Sequence, residues 1–284
     1  AFVTLRGTMR TMSKTNRALG EERIKAVAAA TAQAFGCEAD IKWLPGYPAM
    51  VNSDEQTAFA ADVARVVEKL AVDCAGGPAI GIGGPWPGGD KPFNAYFILQ
   101  GGKVQAQVLK HHLPNYNVFD EERYYHAGEM QGPVQVGPVR IGFPICEDCW
   151  FEDVCETLAE TGAELLISPN GSPYHRGKMN IRQAVTVARV IETGLPLAYL
   201  NLTGAQDDQI FDGASFVLNP GGTLAVQMPF FEETLTHVDF TRTPDGWRAE
   251  EGDKAHLPDE WEADYRCMVE SVRDYLGKTG FKKV

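Results

Sequence analysis

Residues 139–148, Val139-Arg140-Ile141-Gly142-Phe143-Pro144-Ile145-Cys146-Glu147-Asp148, decide the fold. The apolar run predicts a buried strand that ends at a cysteine, and the acidic residues after it lead into a helix. A turn at the end of a buried strand presents its side chain to a cleft, where a nucleophile can meet a substrate. We therefore predict that Cys146 is a nucleophile. Two other interpretations stay open, a buried structural thiol and a Cys146-Glu147-Asp148-Cys149 redox pair.

Strands and helices alternate outward from this segment. The apolar spacing predicts strands over 79–83, 93–99, 104–110, 139–145, 164–168, 195–201, 214–218 and 223–227, and helices over 152–161, 178–192 and 258–277. The stretch between 227 and 258 is predicted to be an acidic loop. Alternating strands and helices with added hairpins indicate a mixed sheet covered by helices, so we predict an α/β fold.

The first seventy residues have an organisation of their own. A strand over 5–11, a helix over 13–35 and a strand over 39–44 are predicted before the turn at 45–48. Ser53 and Gln56 then have the spacing of a capping box for a helix that runs to residue 70. The predicted order is β-α-β-turn-α.

The composition excludes several classes of function. The chain has 284 residues, of which 44% are hydrophobic and 23% are charged, and this is typical of a globular protein. A net charge of -12 opposes binding to nucleic acid or to an anionic membrane. No apolar run reaches the roughly 18 residues of a membrane span, and the first residues do not resemble a signal peptide. We expect a cytoplasmic protein whose partner is a small molecule or another protein.

Lys110 is the candidate partner of the Cys146 thiol. The thiolate is the reactive form of cysteine, so a nucleophilic thiol needs a base or a positive neighbour. Lys110 ends the strand over 104–110, and its ammonium can lower a thiol pKa and stabilise an oxyanion. A solvated lysine at a hairpin end is the alternative. The six histidines form no HxxxH or HExxH pair, so no metal site is predicted.

Several strings in a fixed order resemble a known family. They are Lys-His-His-Leu-Pro-Asn-Tyr-Asn-Val-Phe-Asp-Glu at 110–121, Ile-Cys-Glu-Asp at 145–148 and Pro-Asn-Gly-Ser-Pro-Tyr at 169–174, extended by 188–196 and 211–216. Over about residues 69–284 the chain resembles the nitrilase-type (carbon-nitrogen hydrolase) glutaminase domain of glutamine-dependent NAD synthetases. The tail at 262–281 is similar to the helix that opens the ATP-using synthetase domain of that family.

This resemblance implies a nitrilase-like α-β-β-α sandwich with a Glu-Lys-Cys triad. Cys146 would attack the side-chain amide of glutamine, and the thioester would release ammonia for the synthesis of NAD from deamido-NAD. Lys110 and the backbone N–H after Cys146 would hold the oxyanion. By motif position the glutamine pocket would be lined by Tyr116, Glu147, Trp150 and Ser172, with Glu121 or Glu122 as a supporting carboxylate.

The resemblance also sets expectations for cofactors and partners. ATP and magnesium are expected only for a synthetase domain, which we expect to follow this chain in a full-length relative, so no cofactor is expected here. Glutamine and that synthetase domain are the expected partners, and a homo-oligomer is expected.

The general base departs from the family pattern. The resemblance places a glutamate five residues before a Gly-Tyr-Pro turn, and Gly46-Tyr47-Pro48 is present here, but the position holds Ile41. The nearest carboxylates are Glu38 and Asp40, and strand neighbours point to opposite faces, so neither is a good substitute. We expect the base to be missing or displaced, which typically slows catalysis roughly 100- to 10,000-fold.

Residues 1–67 resemble a different family on the strings at 5–11, 21–24 and 46–52, the lid (dimerisation) part of zinc-dependent M20-type amidohydrolases. The metal-binding residues of that family lie on segments absent here, so no zinc chemistry transfers. The predicted domains are 1–67, a lid-like segment of ferredoxin-like β-α-β-α character, 68–250, the glutaminase domain, and 251–284, a linker and the start of a truncated synthetase domain. A non-catalytic oligomerisation or docking module and a fragment of an M20-type amidohydrolase are the alternative functions.

Overall fold

The computed structural model describes residues 14–43, 54–206 and 209–280. The chain divides into two units, residues 1–54 and residues 55–284, and each is described by itself. The strand predicted over 5–11, the turn at 45–48 and the capping residue Ser53 lie outside the described residues.

The N-terminal unit contains one described helix, α1 (Lys14–Ala34), close to the range predicted from the sequence. The helix ends at Ala34, and Gly36 closes the turn that follows with a φ of +67°, the left-handed conformation that glycine adopts without strain. The strand predicted over 39–44 is wrong for residues 39–43, which form no strand. Alternating polar and apolar side chains are not sufficient, because a strand also needs a neighbouring strand to accept its backbone hydrogen bonds.

The second unit carries the remaining elements. Its strands are β1 (Ile80–Trp86), β2 (Phe93–Gln100), β3 (Lys103–Leu109), β4 (Val134–Val136), β5 (Val139–Gly142), β6 (Leu165–Asn170), β7 (Leu197–Asn201), β8 (Thr203–Gln206), β9 (Gln209–Asp212), β10 (Phe216–Asn219), β11 (Thr223–Gln227), β12 (Phe240–Thr243) and β13 (Gly246–Ala249). Its helices are α2 (Asp54–Asp73), α3 (Glu121–Tyr124), α4 (Glu152–Glu160), α5 (Lys178–Thr193) and α6 (Glu260–Thr279). The domain boundary predicted between residues 67 and 68 falls inside α2.

Two sheets form the centre of this unit. The first is an antiparallel sheet in the order β1-β2-β3, and the second has six strands in the order β11-β10-β7-β6-β5-β4. In the second sheet β5, β6 and β7 run parallel to one another, while β4, β10 and β11 pair antiparallel. The parallel strands are joined through α4 and α5, as the alternation of elements predicts.

Residue alternation along β2 explains how the layers stack. Successive side chains of a strand point to opposite faces. One face of β2 contributes Ala95, Phe97 and Leu99, which pack against α2, and the other contributes Tyr96 and Ile98, which pack against the second sheet. The far face of the second sheet is covered by α4 and α5, whose buried side chains surround Leu166, Leu197 and Phe216. The result is the predicted α-β-β-α sandwich.

Two further hairpins were not predicted. The pair β8–β9 lies beside α6, and Asp274 of that helix accepts a hydrogen bond from the backbone of Ala205 at 2.6 Å. The pair β12–β13 occupies part of the stretch expected to be an acidic loop, so that expectation is wrong for residues 240–249. Among the described residues, none of the helices is both long enough and apolar enough to span a bilayer.

The core of the second sheet can be tested with two leucines of one strand. Leu197 is fully buried, whereas Leu200, three residues later in β7, is 52% exposed. We expect Leu197→Ala to lower the free energy of unfolding by about 2–5 kcal/mol, because it leaves a cavity. Leu200→Ala should cost less than about 1 kcal/mol. Urea unfolding of both variants checks this, and equal losses would contradict the assigned packing.

Candidate active site

The candidate site lies at the carboxyl ends of the parallel strands. Cys146 follows β5 by four residues, Gly171 follows β6 directly, and Asn201 is the last residue of β7. Because parallel strands end at the same edge of a sheet, these three segments meet there, and this is the edge where open α/β sheets bind ligands. Lys110 reaches the same place from the other sheet, as the residue directly after β3.

Cys146 is held in a strained backbone conformation. It is half-buried, begins a one-turn 3₁₀ helix (Cys146–Cys149) and has a φ of +49°. A residue with a Cβ adopts this region only where its surroundings impose it, at a cost of about 1–3 kcal/mol. Here the turn is closed by the N–H of Asp148, which donates to the carbonyl of Ile145 at 3.1 Å. Strain of this kind concentrates at functional sites, so it supports Cys146 as the reacting group.

The Cys146 thiol is kept protonated in this environment. Burial raises its pKa, and the charge of Lys110 lowers it, without overcoming the effect of burial. The charges of Glu121 and Glu147 raise the pKa further, and a hydrogen bond from the backbone of Gly171 lowers it. The resting group is therefore a neutral thiol, which must give its proton to an acceptor before it can act as a nucleophile.

Lys110 is buried and paired. Its side chain is 2% exposed, and its Nζ lies 2.5 Å from Oε2 of Glu121, the first residue of α3. The other oxygen of Glu121 accepts a hydrogen bond from the side chain of Asn94 at 3.1 Å. Glu122 is exposed and accepts instead from Asn115 at 3.3 Å. Of the two carboxylates predicted as supporting groups, Glu121 is therefore the one that contacts Lys110.

Tyr116 and Glu147 form a second polar pair at the site. The hydroxyl of Tyr116 donates to Oε1 of Glu147 at 2.7 Å, and Glu147 is buried although it is acidic. Burial, followed by the bond to Glu147, raises the pKa of Tyr116 well above its ordinary value, so the hydroxyl keeps its proton. A buried carboxylate with spare lone pairs can accept hydrogen bonds from an ammonium group.

Trp150 contacts a lysine that the sequence analysis did not single out. The Nζ of Lys178 lies 4.2 Å from the centre of the Trp150 ring, at cation–π distance. Burial and the nearby charge of Arg182 lower the pKa of Lys178, and the charge of Glu147 opposes this. Lys178 is the first residue of α5, and its positive charge lies near Cys146.

Ser172 is fixed by a buried network. Arg182 donates to the carbonyl of Ser172 at 2.6 Å, to its hydroxyl at 3.1 Å and to Asp212 at 2.8 Å. Asn201 accepts from the N–H of Ser172 at 2.9 Å and donates to its carbonyl at 3.2 Å. The loop after β6 is thereby held beside Cys146. The sequence analysis missed Arg182 and Asn201. The position of Arg182 on the apolar face of a predicted helix could have indicated a buried charge.

Asp148 joins the two sides of the site. Its Oδ1 accepts from the backbone N–H groups of His111 at 3.1 Å and His112 at 2.7 Å, and its Oδ2 accepts from Ile145 at 3.0 Å. Burial raises the pKa of Asp148 to about 6, although the hydrogen bonds from His112 and Ile145 act against the rise. The carboxyl group thus connects the segment after Lys110 to the turn before Cys146.

Two other features of the chain bear on the location of the site. Glu38 and Asp40, the nearest carboxylates to the expected base position, are exposed in the N-terminal unit. A cavity of about 260 Å³ is lined by residues before β6 and β7, including Glu164 and Pro196, and by Trp247. It lies at the opposite end of the strands from Cys146. We place the site at Cys146 because the strained thiol and the buried charges are there.

Fold and site together define an α-β-β-α hydrolase with a cysteine, a lysine and a glutamate at its centre. The sequence profile of the carbon-nitrogen hydrolase family matches residues 15–245. The chain belongs to the carbon-nitrogen hydrolase family. The match includes most of residues 1–67, for which the similarity to an amidohydrolase lid stays a prediction.

Individual relatives agree with this family. The chain is 52% identical over 227 residues to glutamine-dependent NAD(+) synthetase of Rhodobacter capsulatus, covering 80% of this chain and 41% of that protein. Glutamine-dependent NAD+ synthetase of Acinetobacter baumannii, solved with ADP, superposes with a TM-score of 0.73 at 28% identity, covering 93% of this chain and 50% of that one. An amidase from Nesterenkonia sp. AN1, with acrylamide added at its active-site cysteine, has a TM-score of 0.51 at 25% identity and covers 62% of this chain and 66% of its own. The chain spans half or less of the two synthetases.

The buried charges of the network around Ser172 can be tested by removing one of them. The side chains of Arg182 and Asp212 are 0% and 1% exposed. We expect Asp212→Asn to lower the free energy of unfolding by about 3–5 kcal/mol, because it leaves the Arg182 charge buried without its partner. The exposed pair of Arg266 and Glu262 provides the control, and Glu262→Gln should cost about 0.5 kcal/mol or less. Denaturant unfolding measures both, and similar losses would contradict the burial.

Proposed function

We propose that this chain hydrolyses the side-chain amide of glutamine through a thioester on Cys146. The observation that carries the proposal is the buried Lys110, paired with the half-buried Glu121, near a half-buried cysteine in strained backbone. Two relatives are named as glutamine-dependent NAD(+) synthetases, and this supports glutamine as the substrate. The amidase with an occupied active-site cysteine supports the nucleophile.

The proposed reaction has two halves, formation of a thioester and its hydrolysis, and each half uses the Cys146 sulfur and the transfer of one proton. The Cys146 sulfur bonds to the amide carbon as its proton leaves for an acceptor, and the oxyanion that forms is held by Lys110 and the backbone N–H of Glu147. Collapse breaks the carbon–nitrogen bond, and the nitrogen takes the proton and leaves as ammonia. Water then attacks the thioester, glutamate is released, and the thiol regains a proton.

Substrate recognition follows from the charges around the cysteine. Glutamine carries an ammonium and a carboxylate at its far end. We assign the ammonium to Glu147, supported by Tyr116, because a buried carboxylate is stabilised by a positive ligand. Lys178, stacked on Trp150, supplies a positive charge for the carboxylate. Ser172 shapes the wall of the pocket, since the Arg182 network holds its backbone.

Turnover requires a proton acceptor that the paired carboxylates do not readily supply. Glu121 is bonded to Lys110 and to Asn94, and Glu147 is bonded to Tyr116. The family pattern takes this base from the segment before Gly46-Tyr47-Pro48, where the sequence has Ile41. We therefore propose that glutamine recognition is retained and that hydrolysis is slower by roughly 100- to 10,000-fold than with a base in place.

Labelling of the thiol separates recognition from turnover. A glutamine-mimicking diazo-ketone is incubated with the protein, and mass spectrometry locates the adduct. We expect a single adduct on Cys146, loss of that adduct in Lys110→Ala, and no adduct on Cys149, which is fully buried three residues later. Absence of an adduct, or labelling scattered over the six cysteines, would contradict the proposal.

The partner of Lys110 can be tested with two neighbouring glutamates. We expect Glu121→Gln to slow the labelling of Cys146 by at least about tenfold, because a buried ammonium that loses its carboxylate is displaced or deprotonated. Glu122→Gln is the matched control and should leave the rate unchanged, since Glu122 is exposed and bonded to Asn115. The rate of adduct formation at saturating reagent is the measurement. An equal effect of both substitutions would contradict the assignment.

A second candidate is a non-catalytic docking module for a synthetase domain. One face of α6 favours it, because Tyr265, Met268 and Val272 are 65%, 61% and 47% exposed. Exposed apolar side chains at helical spacing are typical of a surface that another domain or subunit covers. If the chain is catalytic, as first proposed, such a domain in a longer protein would receive the ammonia released at Cys146. In either case we propose that the protein is a homo-oligomer. A Cys146 that does not react with the diazo-ketone would favour docking without catalysis.

A further inference from the structure

Two histidines and an aspartate meet on the surface next to the candidate active site. His111 and His112 follow Lys110 directly, and Asp153 is the second residue of α4. All three side chains are half-buried, and one potential ligand atom from each lies within 4.8 Å of the others. Within residues 14–43, 54–206 and 209–280 this is the one group of three or more such residues with that geometry.

The hydrogen bond made by His111 fixes which ring nitrogen is available. Its Nδ1 lies 2.7 Å from the carbonyl oxygen of Gly128. A carbonyl oxygen only accepts hydrogen bonds, so Nδ1 carries the proton and Nε2 has a free lone pair. Histidines that bind metals have this same arrangement, with one nitrogen bonded to a carbonyl and the other on the metal.

The polar atoms of His112 and Asp153 face each other, and a cation can bind between them. The Nε2 of His112 lies 2.8 Å and 3.0 Å from the two carboxylate oxygens of Asp153. Oδ1 of Asp153 also accepts from the N–H of Val154 at 2.8 Å, which orients the carboxylate. A proton bridges His112 and Asp153 in this geometry, and a metal ion that binds there replaces it.

The backbone places the two imidazoles side by side before any ligand arrives. Consecutive residues of an extended chain ordinarily point in opposite directions. Here both backbone N–H groups donate to the same oxygen of Asp148, and the ring centres of His111 and His112 lie 4.6 Å apart. The His112 ring also packs on Phe151 at 4.3 Å. A site whose ligands are already held in place loses little entropy on binding.

We propose that His111, His112 and Asp153 bind a divalent transition cation of the zinc class. Two imidazole nitrogens and one carboxylate oxygen are ligands that zinc accepts, and a fourth position stays open for water. The sequence analysis did not predict this site because the third ligand lies 41 residues from His112 and no helical histidine pair marks it. Since His111 adjoins Lys110, an occupied site would also stiffen the segment that carries the lysine.

Cobalt(II) is a suitable probe, because it takes zinc sites and its visible absorption reports the ligand geometry. The full chain is titrated with cobalt(II) by absorption and by calorimetry, and zinc(II) is then added as a competitor. We expect one equivalent to bind, with tetrahedral-type absorption that zinc displaces and without a thiolate charge-transfer band. Absence of binding, or a thiolate band from the cysteines, would overturn the proposal.

Three variants test whether the cobalt(II) ion binds at the proposed residues. His111→Ala and Asp153→Asn should each weaken cobalt(II) binding by more than about tenfold, since even a supporting partner of a metal ligand is worth about 10- to 100-fold. His126→Ala is the matched control, because His126 forms a similar pair with Asp90 at 2.7 Å and lies outside the cluster. Circular dichroism checks that each variant is folded. If His111→Ala does not fold, the cobalt(II) affinity of Asp153→Asn tests the proposal. Unchanged affinity in a folded His111→Ala or Asp153→Asn variant, or an equal loss in His126→Ala, would overturn the proposal.

Discussion

The site depends on the carboxyl group of Asp148, which connects two segments that belong to different sheets. One oxygen takes the backbone N–H groups that follow Lys110, and the other takes the N–H of Ile145 directly before the Cys146 turn. Packing of two sheets fixes their separation only through apolar side chains, which tolerate small shifts. Three hydrogen bonds to one buried group are directional, so they set the position of Lys110 relative to the thiol. Burial of this carboxyl group is costly, as its pKa of about 6 indicates, and the hydrogen bonds from His112 and Ile145 offset part of that cost.

Two other pairs of charged residues have different roles in the site. Lys110 and Glu121 place a positive group beside the sulfur, where an oxyanion would form. Arg182 and Asp212 are buried more deeply and hold the loop after β6, so they act on the shape of the pocket. Within these two pairs, each charged group has its partner of opposite sign within 2.8 Å. This pairing lets a strongly acidic chain keep two cations out of water at one edge of a sheet.

The sequence predicted the elements whose pattern is local. The strand before Cys146 and the helix from Lys178 were recognised because apolar spacing alone specifies them. The strand expected over 39–44 was wrong for residues 39–43, because strand pairing is not a local property. The hairpin at 240–249 was missed although Pro244-Asp245-Gly246 is a strong turn signal, since its strands are polar and the stretch was taken for a loop. Arg182, Asn201 and Lys178 were missed for a related reason, because their partners lie far away in the sequence.

The protonation state of the Cys146 thiol matters for bond formation at this site and not for binding. The effect of burial on the Cys146 pKa outweighs the effect of the Lys110 charge, so the thiol stays neutral. In the proposed reaction a neutral thiol can still sit against a bound amide, because we assign the recognition of glutamine to the charges of Glu147 and Lys178 and to the loop that carries Ser172. Bond formation additionally requires the proton to leave, and we propose that the base for this step is missing from the segment before Gly46-Tyr47-Pro48, where the sequence has Ile41. In this proposal binding and chemistry are assigned to separate parts of the chain, so one can be lost without the other.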